Sequence, residues 1–505
     1  MARTLPSVRR FDWRGLLLVG GLAFAGAISF QGTRGIFQTT EGRYTECARE
    51  TMASGDYDDP ILNGQPHWTK PPLTYMAIMG GIRAFGRSPW GARAYLVAAM
   101  ALSAIAIWLV GTSIWGSQTG TWAGLVFATS PFVAGAANIV SSDLLTTLWV
   151  AAAFAAFWRG HARNSPISLL AMWVFLGLGF LTKGPPALLV PAVSLPLAAA
   201  LLRRDRNRHL PSWLSLIGLG LFLLVGVLWY VEEAAQTPGL LAYWLGDELV
   251  GRNIGGEFNR NPGILPVFYM YLPILLFGAG PWLPLVVLRG RPLRNWWPAS
   301  KDLPIPVRAA RVSLGAGVAI SFAVFSLSRS KLPLYLLPIF VPLSLVLGRM
   351  IAVSIDQGRL RARTAKTLAG TMLALIIAGK GIFAYVDSPK DMTSLAAALA
   401  PALANEPGHS FYTATGRYLN GLEFHLDRRI EFIQPGDLFD HMAERMKQGE
   451  SPQYLITKRN WERIHAAAPV PVRSRPIGSH WLLLSPPDQR GDEPHAPDQI
   501  AKDNP

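Results

Sequence analysis

The stretch QTTEGRYTECARETMASGDYDDPILNGQPHWTKPPLTY, residues 38–75, lies between the first membrane-length apolar run and a series of further apolar runs. It carries carboxylates, basic residues and aromatic rings at a density that the flanking segments do not approach. A polar loop of this kind, so early in a chain rich in apolar runs, indicates chemistry at the surface of a bilayer.

Two short helices are predicted within this loop. Residues 42–54 form the first, lying on the membrane, with Thr39 or Thr40 as its N-cap and Gly55 after its end. A second interfacial helix is predicted for residues 71–85. It begins with two prolines and is too short to span the bilayer comfortably.

The composition indicates a mostly α-helical, polytopic membrane protein. Of the 505 residues, 50% are hydrophobic and only 16% are charged. Apolar runs of about 18 residues or more recur, the length needed to cross a bilayer core of roughly 30 Å. The chain is therefore read as spans in lipid rather than as several soluble domains.

The net charge of +15 does not indicate nucleic-acid binding. The arginines cluster in short loops between apolar runs, as the positive-inside rule predicts for cytoplasmic loops, and no nucleic-acid recognition module accompanies them. The single cysteine, Cys47, excludes an internal disulfide framework and a cysteine metal cluster. The basic N-terminus resembles the start of a signal peptide, but no clear signal-peptidase site follows the first apolar run. We therefore expect the first helix to be retained.

Residues 1–387 are predicted to form the transmembrane domain, with about 11 spans. The predicted spans are residues 14–31, 92–111, 120–138, 144–159, 167–182, 185–202, 212–231, 264–288, 312–328, 332–348 and 367–386. Basic loops such as 203–209 and 357–366 fall on the cytoplasmic side. The first outer loop, residues 32–91, then lies outside the cytoplasm.

Other polar groups emerge on the same outer side at the ends of predicted spans. They are Asp143, Lys183, the loop 232–263 and the turn SRSKLPLY at 328–335. Charged residues gathered at one set of helix ends are what an active site at the membrane surface requires.

A small α/β domain outside the cytoplasm is predicted for residues 388–486. Residues 438–449 have the pattern of an amphipathic helix, and alternating apolar residues predict strands at 409–414, 428–433 and 452–457. The polar, proline-rich residues 487–505 are expected to be a disordered tail.

Four outer-side motifs follow one another along the chain: TEGRYTECARE (40–50), SGDYDDPILNGQPHWTKPPLTY (54–75), FLTKGPPALLVP (180–191) and SRSKLPLYLLPIFVPL (328–343). In sequence and order they resemble those of the polyprenyl-phosphate-dependent glycosyltransferases of the GT-C superfamily, the relatives of the aminoarabinose lipid A transferase and the protein O-mannosyltransferases. The resemblance covers roughly residues 15–350. It implies a sugar on a polyprenyl phosphate as donor. It also implies an acceptor (a lipid A-like glycolipid, another glycan or a protein) at the outer, periplasmic face of the bacterial cytoplasmic (inner) membrane.

The resemblance also implies roles for single residues. A sugar on a phosphate already has a good leaving group, so the reaction requires a carboxylate to take the acceptor proton and cations to hold the phosphate. We expect Glu41 to be the base, with Arg43 and Asp143 beside it. The candidates for binding the donor phosphate are Lys70, Lys183, Arg252, Lys331 and Tyr335.

Each of these residues also has a purely structural interpretation. Glu41 would be favoured in the first turn of a helix by the helix dipole, and Asp143 could cap the helix that it begins. Snorkelling anchors or interfacial aromatic belts would account for the others: Lys183, Lys331, Lys380, Tyr335 and Trp68.

Three positions depart from the pattern of the family. Relatives usually carry aspartate, the residue usually credited as the base, where this chain has Thr40. Relatives of the aminoarabinose type carry a glutamate and a histidine, linked to a divalent metal, where this chain has Thr69 and Leu249. A metal needs several oxygen or imidazole ligands, so we expect no comparable metal site and no other cofactor.

Two other functions compete with the glycosyltransferase. A lipid or sugar transporter, or a flippase, would predict paired repeats and ionisable groups near mid-membrane, whereas the charges here lie at one set of helix ends. A non-catalytic relative that binds polyprenyl phosphate is suggested by Thr40. The sequence leaves the sugar, the acceptor and the oligomeric state open.

Overall fold

The computed structural model describes residues 12–204, 212–251, 260–288, 303–404, 410–468 and 472–486. Most of this chain is helical. The helices of the membrane part are α1 (Trp13–Ile28), α2 (Thr40–Ser54), α3 (Leu73–Phe85), α4 (Pro89–Trp115), α5 (Ser117–Ala128), α6 (Pro131–Ala136), α7 (Asp143–Arg163), α8 (Pro166–Lys183), α9 (Leu189–Leu202), α10 (Leu216–Phe222), α11 (Leu228–Gln236), α12 (Leu240–Tyr243), α13 (Leu272–Phe277), α14 (Trp282–Leu288), α15 (Ile305–Leu327), α16 (Phe340–Asp356) and α17 (Ala362–Ala384). Short 3-10 or π-helical segments extend several of them: Pro185–Leu188, Leu223–Val227, Trp244–Gly251, Val267–Tyr271 and Pro333–Ile339.

Seven segments of the described chain are long and apolar enough to cross a membrane. They are Pro89–Trp115, Pro166–Lys183, Pro185–Leu202, Leu216–Gln236, Ile305–Leu327, Pro333–Asp356 and Ala362–Ala384. Val267–Phe277 and Trp282–Leu288 would form an eighth, although they meet at an angle of 80°. The chain is a multi-pass membrane protein, as its composition predicted.

The predicted number of about 11 spans is not confirmed, although helices occupy every predicted position. The first, α1, has only 16 residues. The span predicted at 120–138 is broken between α5 and α6 at Thr129 and Ser130. Both hydroxyls there donate to carbonyls one turn earlier, and the next residue is Pro131, which has no N–H to continue the helix.

The core of the membrane part is formed where α4, α5, α7 and α16 pack together. Large side chains fill it without exposure to the surroundings: Trp108, Phe127, Phe154, Phe157 and Phe340. This close packing fixes the starts of α7 and α16 relative to one another, and α7 begins with Asp143.

The first outer loop contains helices α2 and α3 close to the predicted positions, with a short hairpin between them formed by β1 (Ile61–Leu62) and β2 (Gln65–Pro66). Gly55 ends α2 in the left-handed conformation at φ 81°, which glycine adopts without steric cost. Thr39 occupies the N-cap position, but its side chain makes no capping hydrogen bond, so that detail of the prediction is wrong.

The C-terminal part contains helices α18 (Met392–Ala404), α19 (Asn420–Leu426), α20 (Leu438–Lys447) and α21 (Lys458–Ile464), and strands β3 (Phe411–Thr413), β4 (Glu431–Phe432), β5 (Gln453–Thr457), β6 (Arg473–Ile477) and β7 (Trp481–Ser485). The five strands form one mixed sheet in the order β4-β3-β5-β7-β6. The three predicted strands and the amphipathic helix are present. The hairpin of β6 and β7 was missed, because four of the five residues of β6 are exposed and give no alternating pattern.

This C-terminal unit is hydrogen-bonded directly to the first outer loop. The backbone N–H of Gln38 donates to the carbonyl of Lys390 at 2.8 Å. The Gln38 side chain donates to the carbonyl of Tyr418 and accepts from the N–H of Gly421, each at 3.0 Å. We call these contacts the Gln38 clamp. They place the C-terminal unit on the same face of the molecule as α2.

Gln38→Ala is expected to loosen the clamp without unfolding the protein. Two side-chain hydrogen bonds are lost, each contributing about 0.5–1.5 kcal/mol. Hydrogen exchange of the amides at 418–423 should therefore accelerate about ten-fold. The control is Gln65→Ala on the outer hairpin, whose side chain is exposed. Equal exchange in both variants would show that the clamp does not hold the two parts together.

Candidate active site

Three helix ends bring Asp143, Lys183 and Tyr335 together on the face that carries α2. Asp143 is the first residue of α7, and Lys183 is the last residue of α8. The Lys183 ammonium donates to the Asp143 carboxylate and lies 4.8 Å from the centre of the Tyr335 ring. The two charged side chains are only 9% and 10% exposed. The sequence had predicted that all three would emerge on one side, and this cluster is the centre of the candidate site.

The local sequence explains why these ends meet. A short turn at Asn164 and Ser165 reverses the chain, so that α7 and α8 run antiparallel and the start of one lies beside the end of the other. Gly184 ends α8 with φ 74°, and the next residues are the two prolines of residues 185–186. Asp143 does not cap α7, since the N-cap residue is Ser142 and the Asp143 carboxylate bonds to Lys183 instead.

Helix α2 adds Tyr44 to the edge of the cluster, and Arg43 precedes it in the sequence. The Tyr44 hydroxyl lies 3.5 Å from Ser142 Oγ, directly before Asp143. Burial raises the pKa of Tyr44, so the hydroxyl stays protonated. The half-buried Arg43 guanidinium has no ion-pair partner in the described chain. It is therefore available to bind an anion.

Lys70 lies where the loop 232–263, the later outer loop, packs against the first outer loop. Its ammonium donates to the Thr69 carbonyl at 2.8 Å and lies 3.9 Å from Glu248 Oε2. Burial, with the positive charges of Arg43 and Lys70, lowers the pKa of His67 to about 4. The imidazole is therefore neutral at physiological pH and adds no charge to the site.

Trp68 belongs to a cluster of aromatic rings rather than to an isolated interfacial belt. Its carbonyl accepts a hydrogen bond from the Trp244 indole at 2.9 Å, and its ring centre lies 6.4 Å from that of Trp229. Trp229 in turn donates to the carbonyl of Asp58 at 3.0 Å. These contacts fix the later loop over the first outer loop beside Lys70.

Glu41 is not positioned as a free base. Its carboxylate accepts hydrogen bonds from Arg34 at 2.7 Å and from Arg93 at 3.0 and 3.1 Å. It also accepts the N–H groups of Phe37 and Val140 at 3.1 and 3.0 Å. Burial alone would raise the pKa of Glu41, but the two arginines hold it below the usual value. Five hydrogen bonds thus engage the Glu41 carboxylate, and its role as the proton acceptor stays a prediction.

Arg34 and Arg93 are site-supporting residues that the sequence analysis did not single out. Arg93 is fully buried near the start of α4, inside a predicted span, and this is a position where an unpaired charge is costly. That placement was a signal that it has a buried partner. The identity of the partner, Glu41 on a surface helix 52 residues earlier, depends on the fold.

Lys380 does not snorkel from its span as expected. Its ammonium is buried and donates to the carbonyls of Gly26 and Ala27 at 3.1 and 2.6 Å, and to Gln31 Oε1 at 3.2 Å. It thereby satisfies carbonyls at the end of α1, which leads into the outer loop.

The remaining predicted phosphate ligands are not placed in the cluster. The Lys331 ammonium donates to the carbonyl of Ser328 in its own turn. The backbone N–H of Lys331 donates to the backbone carbonyl of Arg260 at 2.7 Å. Arg252 lies outside the described residues. The roles of both in binding phosphate remain predictions.

The residues at the two metal-linked positions do not fit a divalent metal. Thr69 offers a hydroxyl, which is hydrogen-bonded to His67 Nε2 at 2.7 Å, and Leu249 has no ligand atom. In the part of the chain that the structure describes, no three His, Cys, Asp or Glu side chains lie close enough to hold a metal ion. No step of the reaction is therefore derived through a metal.

The sequence of this chain is similar to those of known glycosyltransferases. Residues 69–230, which include Lys70, Asp143 and Lys183, match the family model described as dolichyl-phosphate-mannose-protein mannosyltransferase. The chain is 29% identical to the undecaprenyl phosphate-alpha-4-amino-4-deoxy-L-arabinose arabinosyl transferase of Pseudomonas aeruginosa, over 73% of this chain and 64% of that protein. It is 30% identical to the transferase of the same name from Edwardsiella ictaluri, over 70% of this chain and 61% of that protein. The chain thus spans less than two thirds of the length of these curated relatives.

The fold is similar to a solved structure, that of ArnT from Cupriavidus metallidurans bound to undecaprenyl phosphate. The TM-score is 0.71 at 18% identity, and the match covers 93% of this chain and 97% of that one. At this level of identity the similarity shows the fold alone. The sequence relatives and the fold together confirm the resemblance that the four motifs indicated.

Proposed function

Because this chain shares its sequence motifs and its fold with the polyprenyl-phosphate-dependent glycosyltransferases, we propose that it is a membrane glycosyltransferase. It moves a sugar from a polyprenyl-phosphate donor to a hydroxyl of an acceptor at the outer face of the membrane. The observation that carries this proposal is the cluster of Asp143, Lys183 and Tyr335, to which α2 adds Arg43 as a cation without an ion-pair partner among the described residues. A carboxylate and several cations at one set of helix ends are what transfer from a lipid phosphate requires.

In the proposed reaction the acceptor oxygen attacks the anomeric carbon of the donor sugar. A new carbon–oxygen bond forms as the bond to the phosphate oxygen breaks, with inversion at the anomeric carbon. The phosphate leaves with the electron pair, and the acceptor proton passes to Asp143. Among the described residues, Lys183 is the hydrogen-bond partner of this carboxylate, whereas all the acceptor positions of Glu41 are engaged. We therefore assign the base to Asp143.

The proposed phosphate ligands are Arg43, Lys70 and Lys183, with the Tyr335 hydroxyl as a neutral donor. Charge-assisted hydrogen bonds from such groups stabilise a phosphate that gains negative charge as it departs. Lys183 contacts both Asp143 and the Tyr335 ring, and so links the proton acceptor to the phosphate. No metal and no other cofactor are part of the proposed mechanism.

The donor, the acceptor and the membrane are also proposed by analogy. The names of the relatives support undecaprenyl phosphate as the carrier and an amino-pentose as the sugar. The acceptor is proposed to be a lipid A-like glycolipid, another glycan or a protein on the periplasmic side of the bacterial inner membrane. The basic loops 203–209 and 357–366 support an orientation with the cluster outside the cytoplasm.

Release of free polyprenyl phosphate tests the function directly. The purified chain, with its lipids, would be mixed with a panel of undecaprenyl-phosphate sugars and candidate acceptors. Acceptor-dependent release with at least one donor is expected. Absence of release with every donor, under conditions in which one of the relatives is active, would contradict the proposal. Donor movement across the bilayer of reconstituted vesicles without release would favour a flippase.

Arg43→Ala is expected to weaken binding of the donor more than it lowers the turnover rate once the donor is bound. Loss of one charge-assisted hydrogen bond should raise the Kd for undecaprenyl phosphate about ten-fold. The measurement is a titration of the purified variant with undecaprenyl phosphate. Arg83→Ala is the control, since Arg83 is exposed on α3 and pairs with Tyr57. Equal affinity in the two variants would remove Arg43 from the phosphate site.

A further inference from the structure

A cavity of about 510 Å³ opens on the C-terminal unit, apart from the cluster of Asp143 and Lys183. Its walls come from the end of β5, the start of α21, the turn between β6 and β7, and the segment that precedes α19. The side chains that give it its chemical character are Thr415, Arg417, Lys458, Arg459, Asn460 and Trp481. We call it the C-terminal pocket. Its volume is typical of sites that hold a small ligand.

The charge of the C-terminal pocket favours an anion. Three lining residues are cationic, Arg417, Lys458 and Arg459, and the one lining carboxylate belongs to Glu462. In the described chain none of the three cations forms an ion pair or a side-chain hydrogen bond. Two guanidinium groups and an ammonium therefore remain available as hydrogen-bond donors around one opening.

Uncharged groups in the same walls suit the hydroxyls and ring face of a sugar. The hydroxyl of Thr415 and the side-chain amide of Asn460 line the opening, and Trp481, which is 8% exposed, contributes to its wall on the sheet side. Hydroxyl and amide groups beside an aromatic ring can hydrogen-bond a polar ligand while its less polar face packs on the ring. Inorganic phosphate could accept hydrogen bonds from the same hydroxyl and amide, but it has no apolar face to pack on the ring.

We propose that the C-terminal pocket is a binding site for a phosphorylated sugar, with the phosphate on the cations and the sugar against Trp481. The phosphosugar would come either from a soluble molecule or from the head group of a glycolipid, since both present the same chemistry. The inference does not depend on the proposed transfer reaction.

The position of the pocket connects it to the Gln38 clamp. Two lining residues, Pro389 and Arg417, directly precede Lys390 and Tyr418. The carbonyls of Lys390 and Tyr418 are the ones that bind Gln38. A ligand in the pocket would therefore contact the two segments that hold the start of α2 in place.

The test is calorimetric titration of the full-length protein in detergent with glucose 1-phosphate, inorganic phosphate and glucose. Glucose 1-phosphate should bind to one site, and phosphate and glucose should each bind at least about ten-fold more weakly. Arg459→Ala should weaken binding of glucose 1-phosphate at least about five-fold. Arg463→Ala is the matched control, because Arg463 is exposed on the same helix one turn away and does not line the pocket.

Lys183→Met should leave this binding unchanged, which separates it from any binding in the active site. Two results would overturn the proposal: equal affinities of Arg459→Ala and Arg463→Ala, or equal affinities of the wild-type protein for phosphate and glucose 1-phosphate. Loss of binding in Lys183→Met would also overturn it. If the proposal is supported, competition by a phosphorylated glucosamine lipid in micelles distinguishes the two sources of the phosphosugar. The lipid competes with glucose 1-phosphate if the natural ligand is a glycolipid head group, and it does not compete if the natural ligand is a soluble molecule.

Discussion

Asp143→Asn is expected to reduce acceptor-dependent release of polyprenyl phosphate by about 10²–10⁴-fold, the range typical of a lost general base. Asparagine has nearly the same shape as aspartate and can still accept a hydrogen bond from Lys183, but it cannot take the proton of the acceptor. The loss should therefore appear in kcat, at saturating donor and acceptor. The measurement is turnover of the purified variant beside the wild-type protein.

The matched control for this variant is Asp440→Asn, because Asp440 is an exposed carboxylate on the C-terminal unit. It should retain full turnover. If Asp143→Asn keeps more than about a tenth of the wild-type rate while folding normally, Asp143 is not the base.

Glu41→Gln is expected to have the largest effect on stability. The substitution removes the negative charge that Arg34 and Arg93 share, with the two side chains only 9% and 0% exposed. Breaking a buried ion pair from one side typically costs about 3–5 kcal/mol, because the partner charges remain buried without compensation. The midpoint of thermal unfolding should therefore fall by several degrees, measured in detergent at one scan rate.

Glu50→Gln on the same helix is the control for Glu41→Gln. Glu50 accepts one backbone N–H, from Gly64 at 2.8 Å, and its other oxygen has no hydrogen-bond partner. Its substitution should change the unfolding midpoint much less. Unchanged stability of Glu41→Gln together with loss of turnover would return the role of base to Glu41.

The stabilisation from Glu41 should also depend on pH. The folded-state pKa of Glu41 is lowered, so the unfolded chain binds its proton more readily than the native protein does. The contribution is therefore fully present above the ordinary pKa of glutamate, about 4.3, and is lost as the pH falls through the lowered value. Unfolding midpoints of the wild-type protein and Glu41→Gln should consequently converge in acid.

Several features of the fold followed from local sequence. The outer-loop helices were indicated by Gly55 and by the prolines before residue 73, and three strands of the C-terminal sheet by their alternating residues. The charges of the loops predicted that Asp143 and Lys183 emerge on one face, whereas the ion pair between them is seen only in the structure. A hydrophobic span fixes which side its end emerges on, so residues distant in sequence can be assigned to one face.

Other features depended on contacts that sequence does not show. A glutamate in the first turn of a surface helix has the same local signature whether it faces a substrate or two buried arginines, and Glu41 faces the arginines. Lys380 has the pattern of a snorkelling residue, but the end of α1 lies within reach of its ammonium. In both cases the partners lie in other segments of the chain, so the local sequence does not show them.

The replacement at Thr40 is consistent with a base elsewhere in the site. Thr40 is exposed at the start of α2, and its hydroxyl is not ionised at physiological pH. Of the carboxylates near the cluster, Glu41 is engaged by arginines and Glu248 lies near Lys70. Among the described residues, Asp143 is the acidic member of the cluster with Lys183 and Tyr335, and we therefore propose that it takes the proton.

The most direct test is to measure turnover of Asp143→Asn and Glu41→Gln side by side, each corrected for its folded fraction. We expect a loss of at least about 100-fold for folded Asp143→Asn and a loss below about ten-fold for folded Glu41→Gln. The opposite order, with Glu41→Gln inactive although folded and Asp143→Asn active, would contradict the assignment of Asp143 as the base.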